Sequence, residues 1–377
     1  MNNYVVSDIH GNAERLEALL FLLRSKHPVG DYKLYVMGDL FDRGDESEKV
    51  LSIIQENPGN IEVLKGNHEW LFMKFMESPM QNYLPWQMNF SYSTIMSFID
   101  KEKDVLLDKY SAKTFEELEF DLFEKYSALD RKLNRKFGKF AGDHRSQTYV
   151  NQLTKTVSSR DIRNVSQDYL YVLKEHLLKD HPSEYVKSFA NLTYLNVVDK
   201  FCDVYDYFGS LKPYAVVDDD FLLVHSGFVN VNKDHYVEDS LSYDQYEYCE
   251  KVEDLDRQNE YPMLWARRKN LKTGKASPPT QCFDGRVIIY GHTTTDHFKA
   301  NKNDLGAYFH YNEFGNLISI GIDGCNSERS RGQLNCLSLQ DLSQIVVKGT
   351  NFAYVNNPSG LKFKEVPYQS PQEYEKQ

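Results

Sequence analysis

The sequence predicts an α/β fold interrupted by a long helical insertion. Three observations carry that expectation. The first 76 residues alternate short apolar runs with segments of helical periodicity. The middle of the chain has few strand signals. Strand signals then return and continue almost to the end.

The elements follow in order. Residues 4–6 begin a short strand. Leu16, Leu19, Leu20 and Leu23 recur along one helix face, and His27-Pro28-Val29-Gly30 ends that helix. Residues 34–37 form a second strand. Val50, Leu51 and Ile54 mark a second helix, Asn57-Pro58-Gly59-Asn60 is a turn, and residues 61–64 form a third strand. A β-α-β-α-β order implies parallel strands covered by helices. Residues 77–200 read as a mostly helical, cap-like insertion, with Leu, Tyr and Phe at helical spacings over 115–133 and 166–178. Its middle, 131–163, is rich in Lys and Arg and holds only two acids, Asp143 and Asp161. That stretch reads as a solvated helical face or as a surface for an acidic substrate or partner. Strands are expected again at 221–224, 287–290, 317–322, 334–339 and 345–347. The predicted division is a catalytic domain over 1–76 and 201–350, the insertion over 77–200, and a loosely held C-terminal tail over 351–377.

Composition narrows the function classes. The chain has 377 residues, enough for one large domain or two ordinary ones. Its charged (26%) and apolar (41%) fractions are those of a soluble globular protein. A net charge of −11 argues against general nucleic-acid binding, which needs a basic surface, but leaves room for a local positive site. The five cysteines, Cys202, Cys249, Cys282, Cys325 and Cys336, are odd in number and form no C-x-x-C pair. Reduced thiols in the cytoplasm are therefore expected. The chain enters its first strand without a basic and apolar leader, and no apolar run reaches membrane-spanning length. A cytoplasmic protein without a membrane partner is the expectation.

Polar clusters stand at the strand ends: Ser7-Asp8-Ile9-His10-Gly11, then GDLFDRG over 38–44, Gly66-Asn67-His68-Glu69, His225-Ser226-Gly227 and Gly291-His292-Thr293. In open α/β sheets ligands gather at that edge. Asp8, His10, Asp39, Asn67, His225 and His292 make a mixed oxygen and nitrogen donor set that suits Mn, Fe or Zn better than Ca or Mg. Six ligands with one shared carboxylate make two neighbouring metal sites, and Asp39 has two oxygens with which to bridge them. Two divalent ions outweigh both carboxylates even with a bridging hydroxide, so the site attracts a phosphoryl group inside an acidic protein. Without metals the carboxylates repel, and one should take up a proton.

These motifs, D-x-H-G, G-D-x-x-D-R-G, G-N-H-E, H-x-G and G-H-T in that order, resemble the calcineurin-like metallophosphoesterases. Within that superfamily the sequence is similar to the PPP-type serine/threonine protein phosphatases of the bacterial and phage branch. Nuclease-type and phosphodiesterase-type relatives commonly read G-H-x-H, where this chain has Thr294, and G-N-H-D, where it has Glu69; they also tend to lack the counterpart of Arg43. The resemblance covers about residues 1–76 and 201–350 and implies a four-layer α/β/β/α sandwich. It implies that Asp8 and His10 bind the first metal, that Asp39 bridges, and that Asn67, His225 and His292 bind the second. Manganese is the favoured ion, then iron or zinc. His68, oriented by Asp42, would protonate the leaving oxygen. Arg43 would clamp the phosphoryl group with Arg267 of Trp265-Ala266-Arg267, for which Arg268 is the alternative. Cys325 would be structural.

The activity so implied is hydrolysis of phosphomonoesters on proteins by direct attack of a metal-bridging hydroxide, with no phosphoenzyme. The partner is then a phosphorylated protein. Two alternatives stand beside it. One is a dinucleoside polyphosphate hydrolase, which shares these motifs. The other is a metal-loaded binding module without activity, which would have no use for His68, Asp42 and the two arginines.

Overall fold

The computed structural model describes residues 1–77, 82, 86, 89–98, 198–228, 235–237, 251–257, 259–270, 275–328, 330–348, 351–355 and 364–367. The chain forms two compact units. The first comprises Met1–Leu40, Lys49–Asn67 and Leu211–Gln377; the second comprises Phe41–Glu48 and His68–Ser210.

The chain opens with β1 (Asn2–Val6), α1 (Ala13–Lys26), β2 (Tyr32–Val36), α2 (Ser47–Gln55) and β3 (Ile61–Val63). β1 pairs with β2 and β2 with β3, both in parallel, as the β-α-β-α-β pattern requires. Later in the first unit come β4 (Tyr214–Val217), β5 (Phe221–Val224), β6 (His235–Val237), β7 (Arg268–Asn270), β8 (Val287–Tyr290), β9 (Tyr308–Tyr311) and β10 (Leu317–Gly321). The last four strands are β11 (Leu334–Ser338), β12 (Gln344–Lys348), β13 (Asn351–Val355) and β14 (Lys364–Pro367). A seven-stranded sheet runs β14-β13-β12-β11-β1-β2-β3 and a five-stranded sheet runs β4-β5-β8-β10-β9. Both are mixed. β11 to β14 join the first sheet antiparallel, whereas β5, β8 and β10 form a parallel centre in the second.

Alternation along the strands explains the layers. Val5 and Leu337 from the first sheet meet Leu223, Ile289 and Ile320 from the second in one buried cluster. The neighbours of those residues, Leu222, Val224, Ile288 and Tyr290, point to the other face of the second sheet. There they pack on Leu255 of the 3-10 turn Val252–Arg257 and on Met263 of a short helix, Tyr261–Trp265. On the outer face of the first sheet α1 lies against β11 and β12. Strands buried on both faces must read as continuous apolar runs, and FLLV and VIIY do. Each fully buried Leu or Ile contributes about 1.5–3 kcal/mol through burial alone. The first unit is thus the expected α/β/β/α sandwich. One difference from expectation lies near its C-terminus, where β13 and β14 add two paired strands in the segment whose composition reads as a loose tail.

The second unit contains α3 (Asn67–Glu77, from His68 onward), α4 (Ser91–Phe98) and α5 (Val198–Ser210). Its core is aromatic. Phe41 meets Phe208 at 4.9 Å, and Phe72 meets Phe201 at 5.2 Å and Trp86 at 5.4 Å, all edge to face. Most of the predicted insertion, including the basic stretch 131–163, lies outside the described residues. Among the described residues no helix is long and apolar enough to cross a membrane.

Candidate metal centre and active site

The six proposed metal ligands all belong to the first unit, and each stands just past a strand or turn that aims it. Asp8 and His10 follow β1, Asp39 follows β2 and His292 follows β8. These four have φ of 56°, 47°, 54° and 62°, the left-handed region that non-glycine residues rarely enter. Such backbone persists only where the surroundings hold it. Here the loops hold one another. The amides of Asp8, His10 and Gly11 donate to the carbonyls of Gly38 (3.2 Å), Asp39 (2.8 Å) and Leu40 (2.8 Å). A Cβ at Gly38 would overlap the backbone of Gly66, so the turns before Asp39 and Asn67 touch directly. A Cβ at Gly291 would likewise overlap Ser7 and Asp8. That close approach lets the amide of His292 donate to Asp8 Oδ2 at 3.1 Å, and Ser7 Oγ donates to the same oxygen.

The donor atoms converge. His10 Nε2 lies 3.5 Å from Asp39 Oδ2 and 3.9 Å from Asp8 Oδ1. His225 Nε2 lies 3.3 Å from Asp39 Oδ1 and 2.8 Å from Asn67 Oδ1. Asp39, His225 and His292 are buried and offer ligand atoms within 4.8 Å of one another. The outer contacts fix which ring nitrogen faces inward. His225 Nδ1 donates to the carbonyl of Met37 at 2.7 Å, which leaves Nε2 as the inner atom. Arg267 Nε donates to His292 Nε2 at 3.1 Å, which leaves Nδ1 inward, 2.9 Å from the Asn67 amide. The inner atom of the Asn67 amide therefore meets His225 Nε2, His292 Nδ1 and the Asp39 carboxylate; with Arg267 on Nε2 the neutral His292 ring carries its proton on Nδ1, which a cation bound there would displace. A divalent cation satisfies that set at once, so the residues fit the group the sequence implies.

The electrostatics agree. Burial raises the Asp8 carboxyl above its ordinary value, and the neighbouring Asp39 charge raises it further. Burial pulls the His225 imidazole down, but the Asp39 carboxylate, Asp8 and the Met37 carbonyl outweigh it and lift the group to about 9. A proton is held where a cation belongs.

The second unit supplies a different constellation. Asp42 and Arg43 have φ of 69° and 71°, and Asp42 is fully buried. His68 Nδ1 lies 2.7 Å from Asp42 Oδ2. Trp86 Nε1 donates to the same oxygen at 3.0 Å, and Thr94 Oγ1 donates to Asp42 Oδ1 at 2.6 Å. Arg43 Nη2 donates to His68 Nε2 at 3.1 Å, so the ring proton sits on Nδ1, toward Asp42. The structure therefore brings together Asp42, His68 and Arg43 as the motifs imply. It adds Trp86 and Thr94, which no sequence motif singles out. Arg267 and Arg43 are both exposed. The side chain of Arg268, in β7, lies outside the described residues. The Cys325 thiol is pushed up to about 12 by burial and then by the Asp323 charge, which suits a packing role rather than a nucleophile.

A model of the calcineurin-like phosphoesterase family matches residues 1–310. The chain belongs to that family. Calcineurin-like phosphoesterases work through a pair of divalent ions, and the convergent Asp and His groups suit one. The symmetrical bis(5'-nucleosyl)-tetraphosphatase of Wigglesworthia glossinidia brevipalpis is 23% identical over 245 residues, which are 57% of this chain and 87% of that protein. An enzyme of the same name from Actinobacillus succinogenes is 38% identical over 69 residues, 18% of this chain and 24% of its own. Among solved structures, a protein serine/threonine phosphatase from Saccharomyces cerevisiae aligns over 96% of this chain and 82% of its own at 13% identity, with a TM-score of 0.39. A cold-active protein-tyrosine phosphatase from a Shewanella species aligns over 92% and 77% at 14% identity, with a TM-score of 0.36.

Proposed function

We propose that this calcineurin-like phosphoesterase is a protein phosphatase that hydrolyses phosphomonoesters on serine and threonine, with phosphotyrosine within reach of the same chemistry. Its partner is then a phosphorylated protein. Asp8 and His10 would hold the first metal, Asp39 would serve both, and Asn67, His225 and His292 would hold the second; manganese is the proposed ion, then iron or zinc. When bound, the metal pair stabilises charge on the phosphoryl oxygens and lowers the pKa of the attacking water. Arg43 and Arg267 present planar forks to phosphoryl oxygens, a match that lysine lacks. Arg43 must leave His68 Nε2 for the phosphoryl oxygens; Nε2 then takes up a proton and passes it to the departing oxygen, while Asp42 holds the Nδ1 side of the ring.

The observation that carries this reading is the buried Asp42–His68 pair, 2.7 Å apart. A serine or threonine alkoxide is a poor leaving group and gains most from a positioned acid. A nucleoside diphosphate departs as a stabilised anion and gains less, but dinucleoside polyphosphate hydrolases share the motifs that hold this pair, so the pair argues for hydrolysis and the substrate panel decides between the two. A binding module would gain nothing from the pair at all. The second reading, hydrolysis of dinucleoside polyphosphates, is favoured by the names of the curated relatives.

One panel decides between them. The Mn²⁺-loaded protein is assayed on phosphoserine and phosphothreonine peptides and on diadenosine tetraphosphate, with Asp39→Asn as control. A higher kcat/KM on the peptides is expected, together with loss of bound metal and of all turnover in the control. The opposite order replaces the protein phosphatase reading with the dinucleotide one. A metal-loaded protein idle on every substrate overturns both.

A further inference from the structure

Two residues at the start of α1 depart from the usual rules for helix ends. Asn12 stands at the N-cap, yet its side chain makes no capping hydrogen bond. Its Nδ2 donates instead to the carbonyls of Ile9 (3.1 Å), His10 (2.9 Å) and Asn326 (3.1 Å). Arg15 places a cation in the first turn, where the helix dipole favours an acid, and it is 5% exposed. Its Nη1 donates to Asn326 Oδ1 at 2.6 Å and to the Asn326 carbonyl at 3.0 Å. Local rules that fail together mark a place where something other than local stability is served.

The point of convergence is Asn326, 1% exposed. Its Nδ2 donates to the carbonyls of Asp8 (3.1 Å) and Ile9 (2.8 Å). One amide is thus acceptor to Arg15 and donor to the loop that carries Asp8 and His10. Left-handed residues such as these cost about 1–2 kcal/mol each, so the loop keeps its shape only through such ties. The segment around Asn326 is itself anchored near His292. Thr295 N donates to the Asp323 carbonyl at 2.9 Å, and Arg331 Nη1 donates to Asp296 Oδ2 at 3.2 Å. Asp323, Asn326 and Arg331 therefore tie the two ends of the ligand set together.

We propose that Asn326, itself oriented by Arg15, is a positioning residue for the metal ion held by Asp8 and His10. The inference rests on the reading of those two residues as ligands. The Asn326 amide fixes the backbone from which both side chains project, and Arg15 keeps that amide from turning over.

Calorimetric titration of the metal-depleted full chain with Mn²⁺ tests this through binding rather than turnover. His10→Gln first identifies which of two binding steps belongs to that ion. Asn326→Asp keeps the acceptor for Arg15 but turns an oxygen toward two carbonyls. The step marked by His10→Gln is expected to weaken about 10- to 100-fold, the range for outer partners of metal ligands, while the other step is unchanged. Arg15→Lys, the milder variant, is expected to weaken the same step by a smaller factor, and it carries the test if Asn326→Asp does not fold. If His10→Gln weakens a step and neither variant does, the positioning role is overturned while the ligand reading stands. If both steps weaken alike along with thermal stability, Asn326 only holds the fold, and the proposal is also overturned. If His10→Gln moves neither step, it is the ligand reading that fails.

Discussion

At Asp42 one buried carboxylate accepts hydrogen bonds from His68, Trp86 and Thr94. Three donors fix the direction of the carboxylate, and with it the orientation of the His68 ring. Trp86 lies tilted against Phe75 at 4.8 Å and meets Phe72 edge-on, so Trp86→Phe keeps an aromatic ring there, removes the N–H donor and leaves a small cavity whose effect on stability is common to all substrates. Hydrogen bonds to charged groups contribute about 1.5–3 kcal/mol, and about 1.4 kcal/mol is tenfold in rate. We expect kcat on a phosphoserine peptide to fall about tenfold. Turnover of p-nitrophenyl phosphate should change little, because nitrophenolate departs without a proton. Equal losses on both substrates would mean that Trp86 supports the fold and not the acid. Asp42 and His68 were legible in the sequence because they sit inside spaced motifs at strand ends. Trp86 and Thr94 were not, because their roles arise from packing across a segment with no periodic signal of its own.

At the level of elements, parallel strands β2 and β3 end in two glycine turns that lie backbone to backbone. Gly38 has φ +81°, and any Cβ there would overlap Gly66. Gly38→Ala therefore meets both a left-handed backbone and a clash that only a backbone shift relieves. Overpacking and the wrong φ together cost about 2–5 kcal/mol. The shift also parts Asp39 from Asn67, so weaker Mn²⁺ binding should accompany the lower denaturation midpoint. A variant as stable as the parent in chemical denaturation would show that the two turns are not in contact. Much of this architecture could be read from sequence. β5 and β8 announce themselves as continuous apolar runs because both faces are buried, and α1 through its leucine spacing. β13 and β14 were hidden. β14 is the edge strand and β13 lies beside it; both depend on pairing with β12 or with each other, and pairing is not a property of local composition. The β4 strand, half-exposed along most of its length, was missed for the same reason.

For the molecule as a whole, an acidic chain of net charge −11 gathers two of its buried carboxylates, Asp8 and Asp39, at one point of its larger unit. That arrangement makes stability depend on metal and on pH together. His225 titrates near 9 in the metal-free fold against an ordinary 6.5. A raised value of this kind contributes stability that is fully present below about 6.5 and is lost as pH rises through about 9. Asp8, also raised, acts in the same direction: its contribution is present below its ordinary 3.8 and lost as pH climbs through the raised value. The metal-free protein should therefore weaken steadily toward alkaline pH, as the carboxylates lose the proton that offsets them. Divalent ions replace that proton, so binding must release it, and apparent affinity should tighten as pH rises to about 9. Two measurements check this. Calorimetric titration with Mn²⁺ near neutral pH, in buffers of different ionisation enthalpy, should report release of at least one proton. Chelation should lower the thermal midpoint more at about pH 9 than at about pH 6. A chelator effect of the same size at both pH values, with no proton released, would mean that the cations bind away from His225 and Asp8.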